Sequence, residues 1–238
     1  MRIVCGLQPV REAIRAHAAS LDRVLVEAAK DAPQLEALAR YATDQGAKVE
    51  RVTRGDLDRL SKGARHQGAL ALAPELRLQE LADLTLDEKS LIVVLDELQD
   101  PQNFGAIIRS AVAMGATAIV WPEHRSAPLT PATFRASAGA VEHATLCRVG
   151  ALSSALATLS AAGLTIVGLD MGADKTLDQI DLSGPVALVV GAEGKGLRKP
   201  IKASCTTLAR LPMAGPLGSL NASVATAIGL YETLRQRA

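Results

Sequence analysis

The sequence is nearly without aromatic side chains: one Trp, two Tyr and two Phe in 238 residues. With 48% hydrophobic residues a core is affordable, but it must be built from Ala, Val, Leu and Ile. A base-stacking platform of the RRM type, which needs several exposed rings, is excluded. Contact with nucleic acid would have to rest on charge, backbone donors and shape. Cysteine is also scarce. Cys5, Cys147 and Cys205 are odd in number and far apart, with no C-x-x-C pair, so there is no disulfide framework. His17, His66, His124 and His143 form no H-E-x-x-H and no Cys/His metal spacing, so no metal is expected. A G-x-S-x-G nucleophile elbow is missing, which removes support for hydrolase chemistry. No secretory leader pattern is visible and no run approaches 18 apolar residues. The expectation is a soluble, cytoplasmic protein with no membrane partner.

Net charge is only +1, so bulk charge does not announce a polyanionic partner. Its distribution says more. Residues 1–74 carry 12 basic and 9 acidic groups, residues 75–100 carry 2 and 8, and residues 101–238 carry 12 and 8. In the last segment Lys195, Arg198, Lys199, Lys202 and Arg210 follow one another with no acid between them. Such a run is either a solvated face or a phosphate-contacting surface.

Periodicity predicts an α/β protein in two parts. Helices are expected over 8–17 (with Val10, Ala13 and Ile14 on one side), 34–45 and 55–61, and strands over 23–26, 48–53 and 68–73. Residues 75–89 are acidic and aperiodic and read as a linker between a domain at 1–74 and another at 90–238. From Ser90 strands are expected at 91–95, 118–121, 145–149, 164–169, 186–190 and 207–212, and helices at 103–115, 131–143, 151–163 and 220–237. The continuous apolar run Leu91-Ile-Val-Val-Leu95 fits a strand covered on both faces, and the alternation implies a mainly parallel sheet. Such sheets bind ligands at the carboxyl ends of their strands.

Three segments interrupt the pattern at those ends. In the first, Asn103 can cap a helix that carries Arg109 six residues later; the bland alternative is a capped helix with a surface arginine. The second, Gly191-Ala-Glu193-Gly194-Lys-Gly196, has glycines that allow a tight approach to a ligand, but matches neither G-x-G-x-x-G nor a Walker A loop. A simple glycine-rich turn reads as well. The third, Leu211-Pro-Met213 through Ser219-Leu220-Asn221-Ala-Ser223, is a Pro/Gly loop opening the last helix, where Ser219 or Asn221 can be a cap and nothing more.

In order and spacing the three segments resemble the three motifs of the SpoU (TrmH) branch of the SPOUT methyltransferases. The matches are Asn103, Gly105 and Arg109; Gly191, Glu193, Gly194 and Gly196; and Pro212, Met213, Gly215, Ser219, Leu220, Asn221 and Ser223. Arg135-Ala-Ser-Ala-Gly-Ala140 is similar to a further family helix. Ala222, where valine is common, and Gly218, often polar, depart from the pattern. Gly6-Leu-Gln-Pro-Val-Arg-Glu-Ala-Ile14 and His66-Gln-Gly68 resemble the L30e-type substrate-binding domain of the family's 23S rRNA guanosine-2′-O-methyltransferases.

The resemblance implies a trefoil-knotted catalytic domain, a homodimer, S-adenosyl-L-methionine as cofactor and 23S rRNA as partner. The implied target is a guanosine of the peptidyl-transferase region. It implies that Gly191, Gly194, Gly196, Leu211, Met213 and Leu220 hold the cofactor. Asn103, Arg109, Glu193, Ser219 and Asn221 would be the catalytic set, with Asn103 positioning Arg109. The reaction is attack of a ribose 2′-oxygen on the sulfonium methyl, and because the leaving group is a neutral thioether it requires no metal. Family models make the arginine a general base. An arginine gives up its proton only far above neutral pH, so that role would cost roughly 8 kcal/mol, whereas gripping a phosphate and stabilising the developing alkoxide costs no such shift. Rival readings are a tRNA 2′-O-methyltransferase and a catalytically silent RNA-binding assembly factor. The amino-terminal part, with Lys48, Arg51, Arg54, Arg59, Lys62 and Arg65 within 18 residues, is expected to supply RNA affinity.

Overall fold

In the first lobe, short alternating strands meet amphipathic helices; the computed structural model describes residues 1–28, 32–127, 129–216 and 218–238. Strands β1 (Arg2–Cys5), β2 (Arg23–Glu27), β3 (Val49–Val52) and β4 (Ala69–Ala73) form a sheet in the order β1-β4-β2-β3. β4 is antiparallel to both its neighbours, and β2 and β3 are parallel. Helices α1 (Leu7–His17) and α2 (Pro33–Asp44) cover one face, burying Val10, Ala13, Ile14, Leu35 and Leu38. Helix α3 (Arg54–Ser61) covers the other, through Leu57 against Leu25 and Leu70. Every element expected here is present within a residue or two. β1 was not anticipated: it is a four-residue edge strand with no turn signal ahead of it.

In the second lobe a six-stranded, all-parallel sheet has the order β10-β8-β9-β5-β6-β7. Its strands are β5 (Leu91–Asp96), β6 (Ala118–Pro122), β7 (Leu146–Val149), β8 (Thr165–Leu169), β9 (Val186–Gly191) and β10 (Thr207–Ala209). Every residue of β5, β6 and β9 is buried. Leu91, Val93, Leu95, Leu188 and Val190 face α4 (Pro101–Ala113) and α8 (Ala222–Arg237). Ile92, Val94, Ala187 and Val189 face α6 (Leu152–Ala161) and α7 (Lys199–Ala203). The chain leaves β5 toward β6 and β7, then returns to build β8, β9 and β10 on the opposite side of β5. The order therefore reverses at the β5/β9 junction, where open parallel sheets form a crevice.

Three expectations need correction. α4 starts at Pro101, and its cap is Asp100, whose carboxylate accepts from Gln102 N and Asn103 N; Asn103 lies inside the first turn, because Pro101 fixes the helix start. The helix expected at 131–143 is broken into α5 (Pro131–Ala136) and a 3-10 turn at Ala140–His143. Ala138 and Gly139 between them have φ of 50° and 90°. The last helix begins at Ala222, two residues later than expected, and α7 was not foreseen. Gly105 of α4 lies where a Cβ would stand 2.4 Å from Thr133 O and Ala136 Cβ, so glycine there lets α4 and α5 touch.

Residues 75–90 lie against the second lobe: Gln79 N donates to Leu146 O at 2.9 Å, and Leu81, Leu84 and Leu86 pack on the face with α6. The two lobes also meet directly. Buried Arg2 pairs bidentately with buried Glu142, donates to Pro74 O and stands 5.7 Å from the Phe134 ring centre. His17 Nε2 approaches the same carboxylate at 3.1 Å, and His143 Nε2 meets Glu12 Oε2 at 2.8 Å.

Candidate active site

The loops after β5, β8, β9 and β10 all emerge at the crevice. After β9 the chain folds back on itself: Gly196 N donates to Ala192 O at 2.9 Å. A Cβ on Gly191 would lie 2.2 Å from Gly196 C, so this closure requires glycine. The loop is then anchored to the neighbouring strand. Arg198 donates its backbone N and Nε to the buried Asp96 carboxylate at 2.9 and 2.7 Å, and its Nη1 reaches Glu97 at 3.0 Å. Hydrogen bonding to Asp96 holds the Arg198 guanidinium above its ordinary pKa. Lys202 Nζ likewise meets Asp170 Oδ2 at 2.5 Å. Two members of the basic run 195–210 therefore hold the fold together instead of presenting a free cationic face.

The three interrupting segments converge on one hydrogen-bonded cluster. Asn103 Nδ2 donates to Glu193 Oε1 at 2.7 Å. Asn221 Nδ2 donates to the same oxygen at 2.6 Å and to Asn103 Oδ1 at 3.0 Å. The other end of Asn221 caps α8, its Oδ1 accepting from Ser223 N at 2.9 Å and Val224 N at 3.3 Å. Asn103 is buried, while Glu193 and Asn221 are exposed.

Beside the cluster lies a pocket of about 370 Å³. Gly191, Gly194, Gly196, Leu211 and Leu220 of the expected cofactor residues line it, together with Glu193 and Ser219 of the expected catalytic set. Met213 is half-buried and does not reach the lining, and Arg109 is exposed on α4 away from both pocket and cluster. Sequence reasoning missed Leu169, Asp170, Met171, Val190 and Lys202. The signal was available, since Asp170 follows the expected strand 164–169 just as Gly191 follows 186–190. A smaller cavity of about 220 Å³ adjoins, lined by Asp100 and Asn103, and shares Ala192, Glu193 and Lys195 with the first. The larger pocket pairs an apolar wall (Leu169, Val190, Leu211, Leu220) with the Asp170 and Glu193 carboxylates. Lys195 and Lys202 line it too, and Lys202 is paired with Asp170, so the lining suits a ligand with a flat apolar part and charges of both signs.

A parallel α/β sheet with a small-molecule pocket at its reversal point and an asparagine–glutamate cluster on the rim defines the class. Residues 90–231 match the SpoU rRNA Methylase family, and residues 3–79 match the RNA 2′-O ribose methyltransferase substrate binding family. The chain belongs to the SpoU rRNA methylase family. It is 38% identical, over 98% of its length and 96% of the relative's, to the 23S rRNA (guanosine-2′-O-)-methyltransferase RlmB of Pseudomonas putida. It is 40% identical to an uncharacterized tRNA/rRNA methyltransferase of Mycolicibacterium vanbaalenii, over 99% of this chain and 76% of that one. Among solved structures it resembles the AdoMet-bound rRNA methyltransferase of Sinorhizobium meliloti, with TM-score 0.80, 29% identity, and coverage of 98% of this chain and 86% of that one. The A. aeolicus TrmH/SpoU tRNA modifying enzyme matches at TM-score 0.57 and 30% identity, over 63% of this chain and 78% of that one.

Proposed function

We propose that this chain transfers the methyl group of S-adenosylmethionine to a ribose 2′-hydroxyl in RNA, the target being a guanosine in the peptidyl-transferase region of 23S rRNA. The observation that carries the reading is the shared wall of the two cavities, with Glu193 fixed by Asn103 and Asn221 from two other loops. The larger pocket suits the cofactor. Leu169, Val190, Leu211 and Leu220 would take the adenine and ribose, and the Glu193 carboxylate, with Asp170 already paired to Lys202, would favour its cationic groups. When bound, the cofactor would supply an electrophilic methyl on sulfur, the remainder of the molecule being a neutral thioether as leaving group. The smaller cavity would receive the ribose, with Asn103 and Glu193 on the side where the hydroxyl proton departs. Alignment of the two substrates across one wall supplies most of the acceleration such a transfer needs.

Arg109 is exposed. An exposed guanidinium is suited to hold an RNA phosphate rather than to act as base, and that is the role assigned to it here. The reading extends to a homodimer, supported by the exposed apolar residues of α8, and to a cytoplasmic site of action, where ribosomal RNA is found. It includes the trefoil knot. After β10 the chain runs beside residues 175–177, Arg210 N donating to Lys175 O and Leu177 N to Arg210 O at 2.9 Å, before reaching α8 along the pocket wall opposite residues 191–196. Ribosomal RNA is favoured over tRNA because the rRNA relatives match both lobes, whereas the tRNA-modifying neighbour covers 63% of the chain.

The test is methyl transfer from labelled cofactor to total RNA, followed by mass-spectrometric mapping of the modified nucleotide. A 2′-O-methylguanosine in 23S rRNA is expected. Methylation confined to tRNA, or methyl on a base, would overturn the reading.

A further inference from the structure

Helix α1 buries Val10, Ala13 and Ile14 and turns Gln8, Arg11, Glu12 and Arg15 outward, as spacings of three and four residues require. Two depressions open along this outer face, and Gln8 lines both. One, of about 400 Å³, lies between α1 and α2 and contains Arg11, Gln34 and Tyr41. Tyr41 is the only aromatic residue of the first lobe, and the Arg11 guanidinium stands over its ring at 5.5 Å. The other, of about 430 Å³, lies between α1, α4 and residues 137–143, and contains Arg15 from one lobe and Arg109 from the other. Both arginines are exposed, and neither makes a hydrogen bond or an ion pair among the described residues. The acid of this depression, Glu12, is engaged by Gln8 Nε2 and His143 Nε2, each at 2.8 Å. The lobes cannot drift apart freely here, because the buried Arg2–Glu142 pair fixes β1 to the 3-10 turn Ala140–His143 and the Glu12–His143 contact ties α1 to the same turn. A Cβ on Gly139 would stand 2.8 Å from Glu12 Cβ.

We propose that the outer face of α1 is the track that leads the RNA strand to the catalytic lobe, with a base stacked at the Tyr41–Arg11 pair and backbone phosphates held between Arg15 and Arg109. The proposal rests on the reading of the chain as an RNA methyltransferase and adds where the strand runs. Its parts match what a single strand offers. Unpaired guanidiniums meet phosphates, a flat ring with a guanidinium meets a base, and the roughly 10 Å from Gln8 to Arg15 along the helix connects them. The basic residues of α3 lie on the other face of the first sheet and play no part in it.

The experiment measures RNA affinity against salt, steady-state methylation of rRNA, and S-adenosylmethionine affinity by calorimetry, all on the full-length protein. Arg15→Ala should raise Kd and KM for RNA about tenfold, with KM moving more than kcat. It should also flatten the salt slope by about 0.7 while cofactor affinity stays within twofold. Arg15→Lys should restore most of the slope. Tyr41→Ala should weaken binding about tenfold and Tyr41→Phe should not. The pair Arg54→Ala and Arg59→Ala on α3, from the basic run that the sequence alone suggested for RNA but set on the far face of the sheet, should leave affinity and slope at wild-type values. Wild-type affinity and slope in Arg15→Ala and Tyr41→Ala, or loss of affinity in the α3 pair alone, would overturn the track. The parent reading fails separately: a wild-type protein that transfers no methyl refutes the reaction, while the salt slopes still decide the track.

Discussion

Asn221 serves two structures at once. Its amide nitrogen holds Glu193 and Asn103, and its oxygen caps α8. The two uses are separable by substitution. Asn221→Asp keeps the cap oxygen but sets a second carboxylate beside Glu193, so kcat should fall at least a hundredfold with stability nearly unchanged. Asn221→Ala should lose the same activity and also about 1 kcal/mol of stability, the usual worth of a cap, as read by urea unfolding. Arg109→Ala should raise KM for RNA about tenfold while leaving cofactor affinity intact, because Arg109 lies outside the pocket and holds a phosphate; a wild-type KM would remove Arg109 from RNA binding. At this scale the sequence was informative but not geometric. It named Asn103, Glu193 and Asn221, yet gave Asn103 the role of cap and Arg109 a place beside it. Six residues along a helix turn a side chain well away from its predecessor, and only the packing of α4 decides where each one points.

The loop after β9 is the element on which the pocket depends. Because a side chain at Gly191 would strike the backbone of Gly196, Gly191→Ala must spread the loop and pull Glu193 from its two partners. Cofactor affinity should drop at least tenfold by calorimetry, with the rest of the fold intact by circular dichroism. Strands and long helices were legible in the sequence because buried parallel strands write continuous apolar runs and α1 writes its period plainly. What failed was decided elsewhere. Residues 137–140 are Ser-Ala-Gly-Ala, which propensity alone continues as helix, but the closeness of Gly139 to α1 demands the break. β1 is a strand only because β4 lies beside it.

For the whole molecule, the Arg2–Glu142 pair is the principal polar tie between lobes. Removing one member of a buried pair strands the other charge, so Arg2→Ala should cost about 3–5 kcal/mol, measured as a lower urea midpoint. The double replacement Arg2→Met with Glu142→Leu should recover most of that loss, which a surface ion pair would not show. The outer face of α8 makes a second prediction. Val224, Ile228, Tyr231 and Leu234 are 46%, 40%, 60% and 40% exposed, and the first three adjoin Ala106 and Ser110 of α4 and the following Met114 in a depression of about 450 Å³. Four such residues along one helix face are more than a monomer leaves in water without use. Light scattering at micromolar concentration should give twice the mass of a single chain, and Tyr231→Asp should return a monomer. The resemblance implied a homodimer, and a second copy would cover these four residues.

α8 thus has a first turn tied to the Glu193 cluster through Asn221 and an exposed apolar outer face open to another surface. A body that is gripped at one end and pressed along its side transmits each constraint to the other. Whatever shifts α8 by a fraction of an ångström on associating must change the strength with which Glu193 is held, and so the hold on the cofactor. The reverse follows with equal magnitude, because coupling between two binding events is reciprocal: saturating the pocket should tighten association by the same factor that association tightens the pocket.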